Sequence, residues 1–234
     1  MKIAKIGSRL AVLSVIAVST ANAATSPVGR SIKFYETSTY RVANFVPSSW
    51  PQTCTPSAQQ TCITLDQYGT GRFNDIEIAS VAVSGSFGRS TLCTNQNVYL
   101  SYVLTRPGLG EDFATFTYTY RYELYSAVLN DLSLINPRTG LPYNGKISFP
   151  VQNGLVDQDV VGNSHRLVRI QPFGSFDCGL PLVNYSMLVS QYGLSSFDAQ
   201  RVMGGGVTIK QFISGQFIST EGGTIGTNLR MIGD

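Results

Sequence analysis

The stretch FTYTYRYEL, residues 116–124, alternates aromatic or apolar side chains with polar ones. One face of an extended strand would carry Phe116, Tyr118, Tyr120, Tyr122 and Leu124, and the other would carry Thr117, Thr119, Arg121 and Glu123. A helix would scatter both sets around its circumference, whereas a strand separates them. The alternation therefore predicts a β-strand over residues 113–125.

The tyrosine row of this strand has two interpretations. If the row is exposed, Tyr118, Tyr120 and Tyr122 form a platform on which sugar rings can stack. If the row faces inward, its aromatic area stabilises the core. Phe116 and Leu124 share the same face, and for that reason we expect the core interpretation to hold.

The same alternation recurs outside this strand. Residues 98–104 carry a second apolar face, and the Pro- and Gly-containing segment 105–110 can turn the chain between the two strands. The pattern predicts an antiparallel hairpin of residues 92–104 and 113–125. Further strands are predicted at residues 31–34, 62–65, 76–83, 146–151, 166–171, 183–189 and 207–218.

Helix signals are few in this chain. Ser195 followed by Asp198 is typical of a capping box, which predicts a short helix ending before Gly204, and residues 125–132 can form another. Many short strands with turn-rich connections predict an all-β fold, an antiparallel β-sandwich of jelly-roll or Ig-like type with at most one or two short helices. We expect residues 24–234 to form a single domain.

The first 23 residues have the pattern of a cleaved signal peptide. A basic start is followed by an apolar run at residues 10–18 and by Ala-Asn-Ala at residues 21–23, as a signal peptidase requires. The apolar run is much shorter than the ~20 residues of a membrane-spanning helix. We therefore expect an exported protein of the periplasm, cell surface or extracellular space, from a bacterial source, with no transmembrane segment in the mature chain.

Removal of this leader changes the charge of the protein. The full chain has 17 basic and 14 acidic residues, and Lys2, Lys5 and Arg9 lie in the leader, which leaves 14 of each sign. A neutral domain with dispersed charges lacks the basic footprint of a nucleic-acid binder, so that class is excluded. Charged residues make up only 13% of the chain, against about 25% in an average soluble protein. Such surfaces are common in exported proteins that pack against neighbours.

The four cysteines of the exported chain predict two disulfides. Three connectivities are possible, and we expect Cys54–Cys62 together with Cys93–Cys178. The chain-entropy relation gives about 2.6 kcal/mol for the short loop and about 4.6 kcal/mol for the long one. A zinc site is disfavoured, because no C-x2-C pair is present and the single histidine, His165, is remote in sequence.

Signals for catalysis and for cofactors are weak. The chain has no nucleophile elbow, P-loop, metalloprotease helix motif or dinucleotide fingerprint. His165 is expected to be an ordinary loop or strand-end residue. Asp157 and Asp159 offer oxygen ligands to a hard cation, but the further ligands of a calcium loop are missing, which leaves a solvated polar turn as the alternative. We expect no cofactor.

Trp50 is the candidate for an exposed ligand contact, because it lies in a loop-like segment between Ser49 and Pro51. The alternative is that it packs beneath the Cys54–Cys62 loop. Two strands are candidates for pairing with a neighbouring protein, the N-terminal one that begins near Ile32 and the late one over residues 207–214. Strand addition of this kind takes its affinity from main-chain hydrogen bonds.

These features together predict a non-enzymatic protein of the cell envelope or surface. Its role would be structural or adhesive, through protein partners or self-association at strand edges, as in a fibre subunit. The alternative is an extracellular binding module for a carbohydrate or a protein. A secreted hydrolase with paired carboxylates, chosen from Glu77, Glu111 and Glu123, is a third possibility.

Overall fold

The computed structural model describes residues 34–49, 54–85, 89–102, 113–159, 166–170, 182–218 and 222–233. In chain order its strands are β1 (Phe34–Thr37), β2 (Arg41–Pro47), β3 (Gln60–Leu65), β4 (Gly71–Val83), β5 (Arg89–Tyr102), β6 (Phe113–Tyr125), β7 (Ile135–Asn136), β8 (Leu141–Pro142), β9 (Lys146–Ser148), β10 (Gln152–Asp159), β11 (Arg166–Ile170), β12 (Leu182–Asn184), β13 (Val207–Ile218) and β14 (Gly223–Gly233). The helices are α1 (Tyr185–Ser190) and α2 (Ser196–Gly205), with a 3-10 helix at Ala127–Asn130. The predicted all-β class with few short helices is confirmed.

Two larger sheets account for most of these strands. A seven-stranded sheet has the order β11-β5-β14-β2-β3, with β1 added to β14 and β12 added to β5. A five-stranded sheet has the order β10-β6-β13-β4, with β9 added to β6. The pairs are antiparallel as predicted, except that β2 and β3 run parallel. Strands β7 and β8 form a separate two-stranded hairpin.

The inward faces of both sheets contribute to shared hydrophobic clusters. A first cluster combines Leu124 and Ile209 of the five-stranded sheet with Leu92 and Leu229 of the seven-stranded one, together with buried residues of both helices. A second cluster is aromatic: Phe45 comes from β2, and Phe73, Phe116 and Phe217 come from β4, β6 and β13. Phe116, Tyr122 and Leu124 are fully buried, and Tyr118 and Tyr120 are partly buried and pack against the two clusters, so the tyrosine row faces the core as expected.

A buried polar bridge crosses from one sheet to the other between these two clusters. The Thr227 hydroxyl on β14 donates to Oε1 of Gln211 on β13 over 3.0 Å, and Gln211 Nε2 donates to the Tyr122 hydroxyl over 3.3 Å. All three side chains are fully buried. Because a buried amide must find partners, this bridge fixes how β13 and β14 lie across the core.

The predicted hairpin of residues 92–104 and 113–125 is wrong. Strand β5 lies in the seven-stranded sheet, where β14 occupies one edge and β11 and β12 the other. Strand β6 lies in the five-stranded sheet between β10 and β13. Both strands were predicted at the right place in the chain, but their partners are distant in sequence.

Both strands expected to pair with a neighbouring protein are paired within the chain itself. Strand β13 is central in the five-stranded sheet, with β6 on one side and β4 on the other, so it has no edge to offer. Strand β1 pairs with the end of β14. Strand addition through β13 is therefore excluded by its position in the sheet.

Local sequence signals explain the helices. Ser195 caps α2 by accepting a hydrogen bond from the Asp198 amide over 3.1 Å, which confirms the capping box, although the helix extends to Gly205. The strand predicted over residues 183–189 is wrong beyond its first two residues. Asn184 caps the helix that follows by accepting from the Met187 amide, because a side-chain acceptor at this point satisfies a free amide of the first turn.

Within the described ranges, no helix has the length and apolar character needed to cross a membrane.

The predicted Cys54–Cys62 disulfide is present and joins β3 to the loop before it, with 5.7 Å between the two Cα atoms. Cys93 lies on β5, whereas Cys178 is outside the described residues, so the second pairing remains a prediction.

Candidate functional site

A charged face covers the outward side of the five-stranded sheet. Alternation along β6 directs Arg121 and Glu123 outward while its aromatic residues face the core. The register places Lys210 of β13 opposite Glu123, and β9 adds Ser148 opposite Glu123 on the other side. The charged face is formed by Asp75, Glu77, Arg121, Glu123, Lys146 and Lys210.

Glu123 is the centre of the charged face and only 2% exposed. Its Oε1 lies 2.9 Å from Lys146 Nζ and 3.3 Å from Arg121 Nη2, and the Tyr125 hydroxyl donates to Oε2. Burial alone would raise the pKa of this carboxyl, but the hydrogen bonds from Tyr125 and Lys146 and the two positive charges outweigh it and lower the pKa. Burial, with the bond to Glu123, raises the pKa of Tyr125 to about 12, so the phenol stays a donor.

The other charges of this face are also paired. Lys210 Nζ lies 2.7 Å from Glu77 Oε2, and Arg41 of β2 approaches the same carboxylate at 3.5 Å. Arg121 bonds to Asp75 and lies over the Phe212 ring, 4.7 Å from its centroid. The positive and negative side chains of the charged face therefore balance one another. A glycosidase acid needs a raised pKa, and Glu123 has the opposite shift, which argues against this residue as the general acid of a hydrolase.

Replacing Glu123 with glutamine is expected to lower the free energy of unfolding at pH 7 by about 1 to 2 kcal/mol, because charge-assisted hydrogen bonds are lost. The pKa of Glu123 is lower in the folded than in the unfolded protein. Its contribution is therefore fully present above the unfolded value near 4.5 and is lost as the pH falls through the lower folded value. Urea unfolding of both proteins from pH 3 to pH 8 measures this difference. An equal gap at pH 3 and pH 7 would contradict the assignment.

A cleft of about 780 Å³ lies beside the charged face, at the end of β4. One wall is the 3-10 helix with the turn that follows β8, where Asn144 and Gly145 have φ values of 52° and 84°. The Gly145 carbonyl accepts from the Ser126 amide over 3.1 Å, which ties this turn to the 3-10 helix. The opposite wall is the end of α2, and Glu36 of β1 completes the rim.

The three glycines at the end of α2 differ in whether the local structure requires a residue without a side chain. Gly206 caps the helix with φ 83°, and a Cβ there would come within 3.0 Å of the Val83 carbonyl oxygen. Gly204 and Gly205 have no neighbouring atom within 4 Å of an added Cβ. Of these two, Gly205 lines the cleft and Gly204 does not.

Strand β4 supplies a further feature, an edge without a partner strand. In the part of the chain that the structure describes, β4 pairs with β13 alone. Its first half is irregular, with two register shifts and φ 53° at Asp75. The edge segment, residues 79–83, pairs in regular register with β13 and contains no charged residue.

The structure describes only some of the candidate residues that the sequence singled out. Trp50 and His165 lie outside the described residues. Asp157 and Asp159 are not in a polar turn, because β10 continues through both and pairs them with Thr115 and Phe113 of β6. No cluster of three metal-ligating side chains occurs among the residues described.

Sequence reasoning missed the cleft. Its walls come from β1, β4, the segment 125–145 and the end of α2, which nothing in the sequence brings together. Two local signals point to its walls: Asn144-Gly145 is typical of a tight turn, and the run Gly204–Gly206 is unusual at a helix end.

Comparison with known proteins adds little to this description. No protein family and no curated protein matches the chain. The chain is similar to a solved structure of the infectious bursal disease virus Gx strain at 7% identity and a TM-score of 0.27, over 70% of this chain and 29% of the viral one. A structure of the T13 particle of IBDV is similar at 9% identity and a TM-score of 0.19, over 78% of this chain and 39% of the other. The chain thus spans well under half of these viral chains, and TM-scores this low establish neither a shared fold nor a shared role.

Proposed function

We propose that this protein is an exported, non-enzymatic component of the bacterial cell envelope or surface. Its role is structural or adhesive, and its partner is a second copy of the chain that pairs with an exposed strand edge. The architecture proposed for it is an antiparallel β-sandwich, supported by the core clusters to which both larger sheets contribute. The leader-like residues 1–23 and the low content of charged residues support export and a packed surface.

The observation that carries this proposal is the edge segment of β4. Unpaired strand edges are templates for pairing with another chain, and proteins protect them with charges, prolines or bulges. The first half of β4 is protected in this way by Asp75, Glu77 and its register shifts. Residues 79–83 have none of these features, and their sequence ASVAV is small, uncharged and β-branched in part. Pairing of two such edges would extend the five-stranded sheet across two copies.

A proline placed on the free edge is expected to abolish association without unfolding the protein. The amides of Ser80 and Val81 point to opposite edges of β4, since neighbouring residues alternate along a strand. Two variants are made, Ser80→Pro and Val81→Pro. One of them loses a backbone hydrogen bond to β13, whereas the other removes only an amide that points to the free edge. Sedimentation velocity and negative-stain microscopy over a range of concentrations measure association, and circular dichroism identifies the folded variant.

Ser80→Lys provides a second variant that keeps every backbone amide. Ser80 is half-buried on the outward face, so a lysine can reach solvent while it adds charge to the edge. We expect this variant to fold and to associate less than the wild-type protein. A wild-type protein that stays monomeric at every concentration would overturn the proposal, and so would a folded edge variant that associates normally. Association lost only on deletion of residues 24–36 would assign the donor role to the N-terminal strand instead.

A further inference from the structure

We infer that the cleft at the end of β4 binds an uncharged saccharide. The cleft shares Ala82 and Val83 with the edge segment, so ligand binding is measured on the monomer, where it does not rest on strand-edge association. The cleft is wide open to solvent, and its volume of about 780 Å³ lies within the range of small-molecule sites. Three features of its walls lead to this assignment.

The first feature is Gly205, which, like Gly204, has no steric reason to be a glycine but, unlike Gly204, lines the cleft. Its φ is not in the left-handed region, and an added Cβ would meet no atom within 4 Å. Glycine in a helix is unfavourable relative to alanine, so an unneeded glycine in α2 weakens the helix. Because Gly205 lines the cleft, its missing side chain widens the space there. A ligand that approaches the backbone closely accounts for that choice of residue.

The second feature is the Ser126 hydroxyl in the opposite wall. Ser126 is 7% exposed, and its Oγ has no hydrogen-bond partner among the described residues. It precedes the 3-10 helix without capping it. A buried hydroxyl without a partner costs free energy, and such groups are uncommon in folded proteins. Because Oγ is itself buried, a hydroxyl-bearing ligand in the cleft would supply a partner once the side chain changes rotamer and turns toward the cleft.

The third feature is the chemistry of the lining. Asn130 and Asn144 present amides, Thr208 presents a hydroxyl, and Glu36 presents a carboxylate. Amides and hydroxyls both donate and accept, which matches the vicinal hydroxyls of a sugar. Among the described lining residues there is no lysine, arginine or histidine to attract an anion. Tyr125 also lines the cleft, and Lys210 Nζ lies over its ring, 5.3 Å from the centroid. A neutral saccharide of one or two rings satisfies this set better than an acidic or a wholly apolar ligand.

The experiment compares two neighbouring glycines. The full exported chain is titrated calorimetrically with the neutral disaccharides maltose, cellobiose, lactose and chitobiose, and is applied to an array of neutral glycans. Gly205→Ala is expected to weaken the binding of the recognised sugar by about tenfold, because a methyl group enters the occupied space. Its melting temperature should be unchanged or raised. Gly204→Ala, which adds a methyl group outside the cleft, should bind as the wild-type protein does.

Asn144→Gly offers an independent variant. Glycine keeps the backbone conformation at φ 52° without strain while it removes the amide, so a loss of binding without a loss of stability is expected. Failure of every neutral sugar and array glycan to bind would overturn the inference. Unchanged binding by Gly205→Ala, or an equal loss in both glycine variants, would do the same. Binding limited to acidic glycans would overturn the assigned ligand class. Because Ala82 and Val83 of the edge segment line the cleft, each titration is made at a concentration where sedimentation shows a monomer, and its outcome then holds whether or not the protein associates through β4.

Discussion

Replacing Phe217 with alanine is expected to destabilise the protein by about 3 to 5 kcal/mol, the cost of emptying a fully packed aromatic site. Phe217 is fully buried, and its ring centroid lies 4.4 Å from that of Phe116 and 4.7 Å from that of Phe45. Phe116 belongs to the same sheet as Phe217, whereas Phe45 belongs to the other. The loss of this one ring would therefore loosen contacts within a sheet and between sheets. Urea unfolding followed by fluorescence or circular dichroism measures the change.

Phe212→Ala is the matched control for this prediction. Phe212 lies on the same strand, β13, but on the charged face, half-buried beneath Arg121. Its loss should cost only about 1 kcal/mol, from part of the buried area and one cation–π contact. Equal effects of the two substitutions would contradict the assignment of Phe217 to the core and of Phe212 to the outward face.

The location of these strands could be predicted from sequence because the period-two signal is local. The bounds of β6 and β13 agree with the prediction over residues 113–125 and 207–218. The faces follow from the same alternation, which is why the burial of Phe116 and Tyr122 was also predictable. The short Cys54–Cys62 loop could be predicted for a similar reason, since its cysteines lie only eight positions apart in the chain.

Strand pairing could not be predicted in this way. Residues 92–104 and 113–125 are neighbours in sequence, yet β14, which comes more than a hundred residues later, is the partner of β5. Pairing is decided by which inward faces fill the core together, a property of the whole chain. The error at residues 183–189 is different: a short apolar run fits either a strand or a buried helix, and Asn184 decided for the helix as its cap.

For the candidate sites, too, some features could be predicted from the sequence and others only from the fold. The outward positions of Arg121 and Glu123 could be predicted from β6 alone, but their partners Asp75 and Lys146 are known only from the arrangement of the strands in the sheet. The cleft required four separate segments to converge, and the free edge of β4 required the sheet order. Sequence therefore predicted which residues face outward, and the fold determined what those residues meet.

Replacing Gln211 with methionine is expected to destabilise the protein by about 2 to 3 kcal/mol, although the side-chain volume is nearly kept. Gln211 is fully buried and accepts from Thr227 across the sheets while it donates to Tyr122. Methionine fills the space but offers no comparable acceptor, so the Thr227 hydroxyl loses its partner inside the core. The cost is thus a desolvation cost rather than a cavity cost.

The double variant distinguishes these two causes. Thr227→Val removes the hydroxyl that Gln211→Met would leave unsatisfied, so the two substitutions together should cost less than the sum of their separate effects, by about 1 kcal/mol or more. Urea unfolding of the wild-type protein, both single variants and the double variant completes the cycle. Additive effects would mean that Gln211 and Thr227 do not share a buried bond, and the cross-sheet bridge would have to be rejected. A strong coupling would instead support the bridge as the contact that fixes how β13 and β14 pack against each other across the core.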